Sequence, residues 1–176
     1  MLKNTVSDQI AKKRSNVAFV FSCPGKEEQK VGAPCQGQTG SNLNTLISIL
    51  HRERPDLFPY EKKENYTIAN ASTIVHYNSE GGDGRTEPTV GEIKTPENIK
   101  RLKHSLSGKS VILCMGAKAE IAVKQLASPA HVVTSSHLGF QSLNTRFPNS
   151  SLKSSTGSDR AEERLRLVAG DILAQI

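Results

Sequence analysis

The sequence predicts an α/β protein of three layers, with helices on both faces of a four-stranded parallel sheet. Three observations carry that expectation. Short strand-forming runs, Val17 to Ser22, Tyr66 to Asn70, Ser110 to Met115 and His131 to Ser136, alternate with segments of helical apolar spacing. The resulting order, β-α-β-α-β-α-β-α, makes each successive pair of strands a parallel crossover unit. The first strand also runs into Ser22 to Gly40, which holds four glycines and two prolines in nineteen residues. That is the composition of a first β-loop-α turn, the place where such folds hold ligands.

Taken in order, residues 5 to 13 suit a short N-terminal helix. After the long loop, Leu43, Leu46, Ile47 and Leu50 fall at i, i+3, i+4 and i+7. With Ser41 placed to cap, this predicts a helix from there to His51, stopped by Pro55. Asn78 to Gly91, with Gly81-Gly82-Asp83-Gly84 at its centre, reads as a mobile surface loop. Thr95-Pro96-Glu97 opens a helix whose buried face is Ile99, Leu102 and Leu106 and which Gly108 closes. Gly116-Ala117-Lys118-Ala119 turns the third strand into a helix lined by Ala119, Ala122, Val123 and Leu126. Residues 142 to 158, rich in Ser, Asn and Thr, read as loop. Asp159 and Glu162 form a capping pattern for a last helix buried along Leu165, Val168, Ala169, Ile172 and Leu173.

A chain of 176 residues with 36% hydrophobic content buries one core of ordinary size, so residues 1 to 176 are expected to form one domain. The net charge of +6 suits a protein that meets polyanions. Met1 to Asn16 carries Lys3, Lys12, Lys13 and Arg14 without an apolar core, so no signal peptide is expected, and no run reaches the length of a membrane span. Cys23, Cys35 and Cys114 lack a C-x-x-C pairing, which points to reduced thiols and away from a zinc or iron-sulfur site. A cytoplasmic monomer without membrane, metal or cofactor is the expectation.

Parallel strands deliver their carboxyl ends to one edge. Cys23 with the Glu27 loop, Asn70 and His137 are therefore expected together, and an amide, an imidazole and a carboxylate suit a nucleobase edge. Of Glu27 and Glu28, one is expected in the site and the other as a solvated charge. His51, His76, His104 and His131 are assigned no role. Lys12, Lys13, Arg14, Lys100, Arg101 and Lys103 read as solvated basic faces.

The spacing P-G-K-E-E-x-x-x-G-x-P-x-x-G-x-x-G from Pro24 to Gly40 resembles the first motif of the uracil-DNA glycosylase superfamily, nearest to its iron-sulfur branch. The likeness continues through Tyr66 to Asn70, through Val111 to Ala119 and to His137. It implies an enzyme that flips a nucleotide out of DNA and hydrolyses its N-glycosidic bond, leaving an abasic site. By the resemblance, Asn70 and Gly25 would meet the flipped base and His137 would stabilise its departing oxygen. Gly37, Gln38, Ser135 and Ser136 would grip phosphates, and Leu138 or Phe140 would wedge into the gap. The chain departs from the family at Ser22 and Cys23, where members carry Glu, Asp or Asn, so Glu27 or Glu28 is expected to aim the water instead. By the resemblance Cys35 replaces an aromatic wall, which implies a wider pocket and favours something other than plain uracil. The substrate is expected to be a damaged or modified base, uracil-like or a bulky modified pyrimidine as in phage DNA. The cluster cysteines are missing, and Leu138-Gly139 stands where Pro-Ser is common. The rival expectation is a DNA- or nucleotide-binding module that kept the fold without catalysis.

Overall fold

The computed structural model describes residues 4–176; Lys3 lies outside them. Four strands, β1 (Val17–Phe21), β2 (Thr67–Asn70), β3 (Val111–Met115) and β4 (His131–Ser135), form one sheet in the order β2-β1-β3-β4. All three pairings are parallel, with Phe21 beside Asn70 and Met115 beside Ser135 at the carboxyl edge. Helices on both faces make the three layers that the strand-helix alternation predicts.

The sheet separates two hydrophobic clusters, and the period-2 alternation of β1 assigns its residues between them. Val17, Phe19 and Phe21 face α2 (Gly37–Glu53) and α7 (Gly157–Leu173), through Leu43, Leu46, Leu50, Leu165 and Val168. Ala18 and Val20 face α4 (Pro96–Ser105) and α5 (Ala117–Lys124), through Leu102, Ala119, Ala122 and Val123. Cys114 is fully buried in the second cluster. Pro96 occupies the first turn of α4 and Thr95 caps it by accepting the Asn98 N–H, as the sequence predicts.

Elsewhere the structure corrects the sequence reading, each time because a distant partner decides. Residues 5 to 13 form no helix. They lie as a strap along the outer edge of β2, bridging antiparallel at Thr5 to Ile74 and Gln9 to Ile68. The open edge of a sheet is a row of unpaired donors and acceptors, and pairing with it outweighs weak local helix propensity. The glycine loop contains a short helix, α1 (Lys26–Val31), which ends at Gly32 with φ 74°. Helix α2 starts four residues ahead of Ser41, at Gly37, because the Glu28 carboxylate accepts the Gln36 N–H at 2.9 Å and anchors the entering chain.

Residues 142 to 158 include the end of α6 (Phe140–Arg146) and a 3-10 turn at Asn149–Ser151. Leu143 is buried, and Arg164 donates to the Phe147 carbonyl at 2.8 Å and to Asn149 at 2.7 Å, contacts that composition does not foretell. The cap of α7 is Thr156 rather than Asp159, and Glu162 pairs with Arg166 one turn on. Glu163 instead turns back to accept the Lys153 and Ser154 N–H groups, and these hydrogen bonds hold its carboxyl down at about 2. Leu173 is partly rather than fully buried. Among the described residues, no helix is long and apolar enough to cross a membrane.

Gly40 shows how tightly the loop rides on α2. A Cβ at this position would stand 2.3 Å from the Cys35 carbonyl oxygen, a backbone atom that cannot swing away. Gly170, inside α7, has nothing within 4 Å. The two Gly→Ala changes should therefore have opposite signs. Gly40→Ala is expected to destabilise by ~1–3 kcal/mol through overpacking, and Gly170→Ala to stabilise by ~0.5–1 kcal/mol through helix propensity. Urea unfolding midpoints measure both, and a neutral Gly40→Ala would disprove the close approach.

Candidate functional site

At the carboxyl edge of the sheet lies a pocket of about 180 Å³. The end of β1 supplies Phe21, Cys23 and Gly25, and the glycine loop supplies Glu28, Cys35 and Thr39. The exit of β2 contributes Asn70 and His76, the segment before α3 (Val90–Ile93) contributes Thr86, and the chain beyond β4 contributes His137. This volume is below the ~300–1,000 Å³ of sites for drug-sized ligands. A larger hollow of about 440 Å³ opens at the amino edge, around Lys103, Lys109, Leu126 and Pro129. It gathers no group of complementary chemistry, and α/β sheets hold ligands at the other edge.

Asn70 lines the pocket from the end of β2. It is 2% exposed, and its Nδ2 has no hydrogen-bond partner. A buried donor left unpaired costs ~1–3 kcal/mol, so a ligand acceptor placed there recovers that penalty. His137 also lines the pocket, edge-on to Phe21 with ring centroids 6.0 Å apart. Its Nδ1 accepts the Gly139 N–H at 2.9 Å, so the proton of the neutral ring sits on Nε2. Burial pushes its pKa below the ordinary value, against the opposing charges of Glu87 and Glu28, which favours that neutral donor form.

The carboxylates and thiols of the first motif serve other ends than the sequence suggests. Glu28 lines the pocket, but its two oxygens accept the Gly25 N–H at 3.0 Å and the Gln36 N–H at 2.9 Å. It is a brace between the two turns of the loop. Glu27 lies outside the pocket, paired with Lys30 at 2.7 Å and half exposed. Burial raises the Cys23 thiol to about 12, so it is protonated, and it donates to the Thr86 carbonyl across 3.6 Å. Ser22 is buried beside the pocket without lining it, and its Oγ is unpaired.

Cys35 belongs at once to the pocket wall and to the core under α2, held at φ 55° with burial raising its pKa. The wide pocket expected at Cys35 is not found, since the cavity it lines holds only about 180 Å³. Leu138 is fully buried in the first cluster, its carbonyl accepting from Asn42 at 2.7 Å, so it is no surface wedge. Phe140, 70% exposed at the start of α6, is free to serve as one. Gly37 and Gln38 are exposed at the rim, Gln38 donating to Asn42 at 2.9 Å. Ser136 accepts from Arg146 at 2.7 Å, and Ser135 keeps an unpaired, buried Oγ.

Sequence reasoning missed His76, Thr86 and Glu87. The stretch read as a mobile loop is tied down by His76, whose Nδ1 lies 2.6 Å from Asp83. Arg85 bridges Asp83 and Glu92, and Tyr77 donates to Gln29 on α1 at 3.0 Å. The segment thereby roofs the pocket. An acidic residue after two glycines, with a basic residue two further on, was the only local signal for this knot. Glu87, beside Thr86, makes no hydrogen bond or ion pair among the described residues, yet its charge acts on both Cys23 and His137. No cluster of potential metal ligands occurs among the described residues. No protein-family model matches the chain, and a search of curated proteins finds no significant match.

The knot carries a pH signature. The hydrogen bond from His76 lowers Asp83 from 3.8 to about 2, and that from Arg85 lowers Glu92 from 4.5 to about 2. Depressed carboxyl values give stability that is present above the unfolded-state values and lost as pH falls through the folded ones. Asp83→Asn should therefore lower the melting temperature at pH 6, and the difference from wild type should shrink as pH falls from about 4 and vanish below about 2. A constant difference across that range would show that ionisation of Asp83 does not hold the roof.

Proposed function

We propose that the chain is a monofunctional DNA glycosylase, resembling the uracil-DNA glycosylase superfamily, which hydrolyses the N-glycosidic bond of a flipped base and leaves an abasic site. The observation that carries this reading is the buried, unpaired Asn70 Nδ2 in a base-sized pocket also lined by a neutral imidazole with its proton on Nε2. A primary amide offers one donor and one acceptor, which suits the Watson-Crick edge of a single heterocycle. The net charge of +6 favours a polyanionic substrate.

In this mechanism the C–N bond breaks with its electron pair leaving on the base. His137 Nε2–H donates to the base oxygen on which negative charge develops. The positive charge left on the sugar is met by water, which adds at the anomeric carbon and loses a proton. Glu28 is spent on two backbone N–H groups and Cys23 is protonated, so orienting that water falls to a carboxylate outside the pocket lining. Glu87, unpaired beside Thr86 and acting through its charge on Cys23 and His137, is the candidate. No lysine lines the pocket, which favours hydrolysis over Schiff-base lyase chemistry. The small volume supports a base of ordinary size over a bulky one. Phe140 is the residue suited to fill the vacated stack.

One observation favours a second reading, a DNA- or nucleotide-binding module without catalysis. The family's base positions are Ser22, buried with an unpaired hydroxyl, and Cys23, a protonated thiol. An alkali-cleavage assay on labelled oligonucleotides separates the two. Strand scission at one base type, only after alkali, is expected of the glycosylase, and binding without scission of the module.

Under the glycosylase reading, Asn70→Ala and His137→Ala should each slow single-turnover base release by on the order of 10² or more. Their affinity for DNA should hold within a few-fold, because phosphate contacts supply most of it. Glu87→Gln should slow the same step by on the order of 10². Activity should persist below pH 6.5, the ordinary histidine value, since burial holds His137 neutral there. An acid limb centred above pH 6.5 would remove His137 as the neutral donor.

A further inference from the structure

The edge strand β2 ends at Asn70, and the backbone of that residue is held from outside the sheet by two side chains that no motif reading singled out. Asp8, on the N-terminal strap, accepts the Asn70 N–H on Oδ1 at 3.3 Å. Its Oδ2 accepts from the Arg101 guanidinium and from Ser105 Oγ at 2.6 Å, and the Asp8 side chain is only 4% exposed. Arg101 then donates from Nη2 to the Asn70 carbonyl at 2.7 Å. Asn98, which accepts from the same Nη2 at 2.8 Å, donates to the Ala71 carbonyl at 2.7 Å. Two side chains on two elements, Asp8 and Arg101, thus grip the peptide groups on either side of the Asn70 Cα, and Asn98 holds the next carbonyl along.

The strap is built around this grip. It pairs with β2 in both directions at Gln9 and Ile68, at 2.8 and 2.9 Å, and again where Val6 donates to Thr73 at 2.9 Å. Between those points it parts from the strand, and the Asp8 carboxylate fills the gap. A buried charge is retained at a cost unless it is paired and hydrogen-bonded. Here the partners of Asp8 are the Asn70 N–H itself, the Arg101 guanidinium that also holds the Asn70 carbonyl, and Ser105 on the same helix as Arg101.

We infer that Asp8 and Arg101 are positioning residues for Asn70, and that the strap of residues 4–9 is a working part of the site and not a mere leader. The inference rests on the glycosylase reading for its kinetic consequence, though the grip itself is a property of the free protein. Asp8 touches no ligand. It fixes the Asn70 backbone, and with it the direction in which the side-chain amide enters the pocket. An amide that reads two atoms of a base edge tolerates little error in that direction.

Two measurements test this. The first is a double-mutant cycle on single-turnover base release with Asp8→Asn, Asn70→Ala and the pair. Asp8→Asn alone should lower the rate at least tenfold with DNA affinity changed less than twofold, and in the Asn70→Ala background it should cost less than a further twofold. Arg101→Lys, which keeps the charge but loses the fork, should show the same dependence on Asn70 with a smaller loss. An equal loss in both backgrounds would mean a general structural role and would overturn the inference, as would an unchanged rate.

The second needs no substrate. The backbone amide of Asn70 should exchange with solvent at least tenfold faster in Asp8→Asn and Arg101→Lys, while the amide of Leu113 in the central strand keeps its wild-type rate. Equal acceleration at both would show global loosening and refute the grip. If wild type releases no base from any DNA, the glycosylase reading fails and the kinetic role fails with it; the exchange pattern still decides whether Asp8 holds Asn70.

Discussion

A parallel sheet of four short strands has two open edges, and closing them is the constraint on which the rest of this structure depends. Each edge is a row of backbone groups that must find partners or invite another chain. At β4 the closure is a single side chain. Gln175 accepts the Thr134 N–H on Oε1 at 3.0 Å and donates from Nε2 to the Thr134 carbonyl at 2.9 Å, imitating a strand with one amide. At β2 the closure is the N-terminal strap, and where the strap swings out a carboxylate and a guanidinium replace it. Closing the edge and aiming Asn70 are therefore one set of hydrogen bonds.

A second constraint governs the pocket. Buried polar groups are hydrogen-bonded unless something else is meant to bind them. The glycine loop spends Glu28 on its own backbone, which makes a rigid cradle and takes that carboxylate out of the chemistry. The Asn70 amide and the His137 Nε2–H are left to face the cavity, a set of donors suited to a ligand rich in carbonyl oxygen. The roof brings charge of the opposite kind. Its inner knot joins His76, Asp83, Arg85 and Glu92 but leaves the buried His76 Nε2, in the pocket lining, without a hydrogen-bond partner. Glu87, beyond Arg85 in the chain, makes no hydrogen bond or ion pair among the described residues. The pocket thus combines fixed donors inside with the charge of Glu87, beside the lining residue Thr86, acting on Cys23 and His137.

How far this was legible in the sequence differs from residue to residue. Strand runs such as Val111 to Met115, the Thr95-Pro96 helix start and the apolar face of α7 are local patterns, set by side-chain period and by caps within four residues. They fix the layer order, and with it the placement of Asn70 and His137 at one edge of the sheet. Glu28 was visible as a carboxylate near the site, but its job depends on which N–H groups the folded loop turns toward it. Leu138 and Phe140 are neighbours with similar apolar character, and only the path of the chain into α6 buries the first and exposes the second.

The sequence by itself thus determined the three-layer α/β fold and which strand ends meet, because both follow from periodicities a few residues long. Only the tertiary structure decided the strap along β2, the Asp8 and Arg101 grip, the roof knotted at His76 and the size of the pocket. These join residues as far apart as Asp8 and Arg101, or Asn42 and Leu138. Such pairings carry no local period, and they arise from the need of buried charges and open strand edges to find partners once the sheet has brought them near.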